Sequence, residues 1–129
     1  LELIKWTKEK EVEDMQGIDI GVYPLPNNEW VFGKSGLKAI QYMAFGIPCV
    51  ASNVGNTPFI IKHRHNGLLV ENEEEWYNSL KELINNKDLR KDLGLQARKD
   101  AIQNFSNQAV CKLYNSSIEK ATGIQNDKR

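Results

Sequence analysis

One short run of the chain carries residue types that bind an anion: Gly33, Lys34, Ser35 and Gly36, followed by Leu37, Lys38 and Gln41. The two glycines frame Lys34 and Ser35 just before an apolar periodicity begins at Leu37, Ile40 and Met43 or Ala44, so a flexible turn delivers the N-terminus of a helix. The first amides of a helix have no intrahelical partner, and the macrodipole places about half a positive charge beside them. Lys38, one turn in, adds a full charge. The competing reading is a plain turn with Ser35 as N-cap, and a solvated helix face for Lys38 and Gln41.

Strands on either side position this run. Residues 18–25, IDIGVYPL, are an apolar stretch with β-branched members, bounded by Gly17 and by Pro26-Asn27-Asn28, which predicts a buried strand. Gly46-Ile47-Pro48 stops the helix, and Cys49-Val50-Ala51 opens a second strand. Strand, loop, helix and strand form a βαβ unit of a parallel α/β sheet, whose ligands collect at the C-terminal ends of the strands. The loop over 25–36 lies at that end, where a nucleotide diphosphate is expected.

Further out, LELIKW at 1–6 is expected as a strand, 8–15 as a short polar helix and 55–61 as another. Asn66-Gly67 turns the chain into the strand Leu68-Leu69-Val70. Asn72 with Glu75 resembles a capping box, ahead of a helix with Trp76, Leu80, Leu83 and Ile84 on one face. Leu89, Leu93, Ala97, Ala101 and Phe105 recur by four in the next helix. Ser106 caps a last one carrying Val110, Leu113, Tyr114 and Ile118. The polar tail over 123–129 is expected to fray.

Seventeen basic and seventeen acidic residues cancel, leaving no electrostatic case for nucleic acid or an anionic membrane as partner. The chain holds 129 residues, enough for one domain or part of one, and no apolar stretch reaches the ~20 residues of a membrane span. Cys49 and Cys111 match no metal spacing and read as free core thiols in a reducing cytoplasm. His63 and His65 read as exposed loop histidines, Trp30 and Phe32 as lining a ligand cleft or covering the core edge, and Trp76 as core. Gly55 and Asn56 offer backbone amides to a ligand or make a simple turn.

The order GIDIGVYPL, GKSGLKAIQYMAFGIPCVAS, VG, NGLLV, EEW and a closing helical pair resembles the C-terminal domain of GT-B glycosyltransferases of family 4, the glycosyl transferases group 1. The resemblance runs from about Ile4 to Ala121 and implies a Rossmann-like parallel sheet flanked by helices. Residues 1–122 would be part of a nucleotide-sugar-binding domain, with closing helices at about 72–122. An N-terminal domain of the same polypeptide would face it, and the excised piece is expected to be inactive alone and to self-associate. The implied reaction transfers a sugar from a UDP- or GDP-type donor with retention, without a metal or cofactor. The family's signature has two glutamates separated by seven residues. Aligned on Met43-Ala44, the second falls at Gln41, which would meet ribose, and the first at Gly33, which has no side chain for the donor sugar. Glu29, in the same loop, is the candidate substitute, and Lys38 would sit over the diphosphate to stabilise the leaving group. A non-catalytic sugar-nucleotide-binding module and a GT-B nucleotide-sugar epimerase are the rival readings.

Overall fold

A computed structural model of the chain describes residues 3–123. In chain order these form α1 (Glu11–Gln16), β1 (Gly21–Tyr23), a 3₁₀ turn (Glu29–Gly33), α2 (Leu37–Phe45), β2 (Cys49–Ser52), α3 (Thr57–Ile60) and β3 (Leu68–Val70). Three longer helices close the chain: α4 (Glu73–Asn85), α5 (Lys87–Phe105) and α6 (Asn107–Thr122).

The sheet is parallel, in the order β1-β2-β3, with Gly21 beside Cys49 and Val50 beside Leu68. Side chains alternate across a strand, so β2 serves two cores. Cys49 and Ala51 pack with Ala39, Met43, Ile60 and Ala97, whereas Val50 packs with Leu68, Val70, Leu83 and Leu93. A central strand covered on both faces is apolar at successive positions, which is why it reads as a run and not as an alternation.

Short polar side chains start the closing helices. Asn72 Oδ1 accepts from Glu75 N at 3.0 Å, Asn86 Oδ1 from Leu89 N at 2.9 Å, and Ser106 Oγ from Ala109 N at 3.2 Å. Each such cap contributes about 1 kcal/mol. The return arm of the capping box differs from the pattern: Glu75 Oε2 accepts from Glu71 N, one residue before the cap.

Several expectations need correction. Residues 3–6 of LELIKW form no strand, and Leu3, Ile4 and Trp6 are exposed, because no neighbouring strand among the described residues offers a ladder. The strand expected over 18–25 is confined to Gly21–Tyr23. Trp30 and Phe32 are exposed and cover no core, and Cys111 is exposed where a core thiol was expected. Ile84 lies outside the buried stripe of α4, and Val110, Leu113, Tyr114 and Ile118 of α6 are all exposed. A helical stripe is legible in sequence whether or not its covering surface is present. The predicted tail lies outside the described residues beyond Gly123.

Candidate functional site

Glycine decides the start of α2. Gly36 is its N-cap with φ 74°, in the left-handed region, and no side chain caps the helix. Ser35 therefore does not play the N-cap role. A Cβ on Gly36 would lie 2.2 Å from Ile60 Cδ1, so α2 begins pressed against α3. The chain reaches this point from the C-terminal end of β1 through a 3₁₀ turn capped by Asn28, whose Oδ1 accepts from Val31 N at 3.3 Å.

Around that helix start the expected residues fall as follows. Leu37 and Lys38 occupy its first turn and are exposed. Lys34 leans back on the loop, with Nζ 3.5 Å from the centroid of the Trp30 ring, a cation–π contact in an open setting. Glu29 opens the 3₁₀ turn and is exposed. Gly33 closes it without positive φ, and a Cβ there would meet nothing within 4 Å, so neither backbone nor space demands glycine. Gln41, one turn into α2, is half-buried and turned toward α1: its Nε2 donates to Glu11 Oε1 at 3.1 Å. Its carbonyl oxygen stays available as an acceptor. The structure thus groups Gly36, Leu37 and Lys38 at one helix start and engages Gln41 and Lys34 with neighbours.

The other candidates are structural. His63 Nδ1 accepts from Leu69 N at 3.1 Å, and His65 Nε2 lies 3.4 Å from Asp100 Oδ2, so both are exposed yet engaged. Arg64, with φ 59°, makes a two-bond contact with Glu82, which holds that carboxyl below its usual range. Burial pushes the Cys49 thiol up to about 12, which makes it an inert core group. Trp76 packs, partly buried, against the Val50 core. Among the described residues no group of three or more His, Cys, Asp or Glu could hold a metal, and no helix is long and apolar enough to cross a membrane.

A feature absent from the sequence reading lies along the strand ends. Ser52 Oγ accepts from Leu25 N at 2.9 Å and Asn53 N donates to Val70 O at 2.8 Å, lacing together the exits of β1, β2 and β3. Beside them opens a cleft of about 390 Å³ whose polar lining is Asn27, Ser52, Asn53 and Glu71. The rule that ligands of parallel sheets sit at the C-terminal ends of strands pointed to this end of the sheet, but no local spacing joins Asn27 to Ser52, Asn53 and Glu71.

The model of the family described as glycosyl transferases group 1 matches residues 2–100. The chain belongs to that family. Spore coat protein SA of Bacillus subtilis (strain 168) is 32% identical over 89 residues, 65% of this chain and 24% of that protein. The chain therefore spans about a quarter of the length of such curated relatives. Among solved structures it is similar to sucrose-phosphate synthase from Thermosynechococcus elongatus, with TM-score 0.69 and 23% identity over 81% of this chain and 26% of that one. It is also similar to Anabaena Alr3699/HepE in complex with UDP, with TM-score 0.62 and 20% identity over 84% of this chain and 30% of that one. These likenesses show the fold, the α/β arrangement expected of the C-terminal part of a GT-B glycosyltransferase.

Proposed function

We propose that this chain is the donor-binding segment of a retaining glycosyltransferase that moves a sugar from a UDP- or GDP-type donor to an acceptor. The observation that carries the reading is the start of α2: no side chain caps it, Gly36 holds it left-handed, and Lys38 is exposed in its first turn. As the glycosidic bond breaks, negative charge grows on the leaving diphosphate. The amides of Leu37 and Lys38, with the Lys38 ammonium, stabilise that charge more in the transition state than in the ground state, and no metal is needed for it. Gln41 takes a ribose hydroxyl on its free carbonyl oxygen, and Glu29 reads the sugar in place of the side chain that Gly33 lacks. The UDP bound to the structurally similar HepE supports a uridine donor. The acceptor side belongs to the part of the relatives that this chain does not span.

Lys38→Ala in the intact protein tests the reading. A charge-assisted hydrogen bond contributes roughly 1.5–3 kcal/mol, so UDP or GDP affinity should fall by about 10- to 100-fold. Unchanged affinity for both nucleotides would remove Lys38 from the site. Gly33, without a side chain where the family pattern has glutamate, favours a second reading, a sugar-nucleotide-binding module without catalysis. Assaying the intact protein for nucleotide release from the donor separates the two, since a pure binder releases none.

A further inference from the structure

Among the described residues β3 is an edge of the sheet, and side chains occupy its outward amides. Val70 O accepts from Asn53 N on the β2 side, so the amides of Leu69 and Glu71 point away from β2. Leu69 N donates to His63 Nδ1 at 3.1 Å, and Glu71 N donates to Glu75 Oε2 at 2.8 Å. Open strand edges invite foreign strands, and these two acceptors cover this one. They differ in one respect. A carboxyl group keeps acceptor lone pairs in either protonation state, whereas an imidazole that takes a proton, between about pH 8 and 5, becomes a donor at both nitrogens.

A second histidine on the same loop has the opposite requirement. His65 Nε2 lies 3.4 Å from Asp100 Oδ2 on α5, a contact that becomes an ion pair only when the ring is charged. Asp100 is held ready for it, since Oδ1 accepts from Gln96 Nε2 and Oδ2 from Asn66 Nδ2, both at 2.8 Å. Buried Asn66 pins the turn itself: its Oδ1 accepts from Lys62 N at 2.7 Å, and its Nδ2 also donates to Ile60 O. Between the histidines, Arg64 at φ 59° grips Glu82 of α4 with two hydrogen bonds. The charged groups around the rings are Glu71, which precedes α4, and Glu75 of α4, which line a cleft with His63; Glu82, which His63 and Arg64 both influence; Asp100 of α5; and Lys62 in the loop, whose Nζ donates to Pro58 O.

We propose that the loop over 61–67 is a proton-driven switch of anchorage: neutral His63 ties it to the edge of β3, and protonated His65 ties it to α5. Acidification removes the first tie and creates the second, so the loop changes partner without losing its Asn66 pin. The Leu69 amide is then free at the sheet edge, while Glu75 still covers Glu71. The switch involves none of the residues of the diphosphate site and stands apart from it.

NMR of the isotope-labelled full chain from about pH 8 to about pH 5 tests it. At the upper end the His63 ring nitrogens should show the proton on Nε2, and a scalar coupling through the hydrogen bond should connect Leu69 N with His63 Nδ1. Toward the lower end that coupling should vanish. The protection of the Leu69 amide from exchange, corrected for its intrinsic rate, should fall by about 2- to 10-fold, the share of one hydrogen bond, while that of Glu71 is kept. Over the same range the Asp100 carboxyl carbon should shift together with the His65 ring. His63→Asn, whose Oδ1 accepts at any pH, should make Leu69 protection indifferent to pH. His65→Gln should abolish the Asp100 response and leave that of Leu69 in place. Both positions are exposed, and the ring signals of the unaltered chain decide the matter even where a variant is destabilised. A His63 proton on Nδ1 at the upper end, equal Leu69 protection at both ends, or a response at only one of Leu69 and Asp100 would overturn the switch. So would a His63→Asn protein whose Leu69 amide still follows pH as the unaltered chain's does.

Discussion

The two ends of α2 are built on opposite terms. At its C-terminal end Gly46 adopts φ 71° and sends its amide back to the carbonyls of Met43 and Tyr42, Ile47 N also donates to Tyr42 O, and the Arg98 guanidinium takes the Ala44 carbonyl. α5 presses there so closely that a Cβ on Gly94 would lie 2.1 Å from the Gly46 carbonyl oxygen. At its N-terminal end no side chain caps the helix, and Leu37 and Lys38 face outward. One end is satisfied by protein, while no side chain takes the amides of the other. A helix anchored at its C-terminus can present its N-terminus as a fixed anion site, because binding then requires little reorganisation.

Substitutions at the glycines of both ends would break or sharpen that contrast. Gly94→Ala drives a methyl into the Gly46 carbonyl and should cost about 3 kcal/mol of stability in urea unfolding, the upper range of overpacking. A near-neutral result would mean that α5 does not clamp the anchored end. Gly36→Ala must hold a left-handed conformation that costs an L-residue about 1–2 kcal/mol and must also displace the end of Ile60. It should destabilise by about 2 kcal/mol and, as the more informative readout, weaken nucleotide binding as the helix start shifts. Retained UDP affinity in a destabilised Gly36→Ala protein would separate the cap from the ligand.

Cys49 gives a pH readout from the core beneath α2. Its thiol is raised from 9.0 to about 12 by burial, so the native state holds a proton that the unfolded chain begins to lose at 9.0. Stability is therefore complete below pH 9 and falls as pH rises toward 12, by about 1.4 kcal/mol at one pH unit above the unfolded value. The comparison with Cys49→Ala across pH 8–10 isolates this share, and parallel profiles for the two proteins would contradict it. The smallest effect is expected at Gly33, where open space and an ordinary φ should let alanine in within about 0.5 kcal/mol, measured by the same unfolding. A large loss there would show that the loop is as tightly constrained as the anchored end.

Much of the fold was legible in local chemistry. The βαβ order, the stops at Gly46-Ile47-Pro48 and Asn66-Gly67, and the caps at Asn72 and Ser106 all follow from interactions within a few residues, and the structure places them accordingly. The candidate anion site was legible for the same reason, since a glycine-led helix start with a following lysine is a local pattern. Side-chain engagement was not. That Gln41 donates to Glu11, thirty residues away in sequence, and that Lys34 lies over Trp30 depend on how segments are brought together.

The sequence by itself determined the order of helices and strands from β1 to α6, because periodicity, caps and turn residues act over the span of one element. Tertiary structure alone decided which apolar stripes are covered: that of α5 at Leu93, Ala97 and Ala101 is buried, whereas that of α6 at Val110, Leu113 and Tyr114 is open to solvent. It also decided that residues 3–6 gain no ladder, that Gly94 meets Gly46, and that Asn27, Ser52, Asn53 and Glu71 share one cleft. Burial and convergence are properties of pairs of distant segments, and no spacing along one segment encodes its partner's surface.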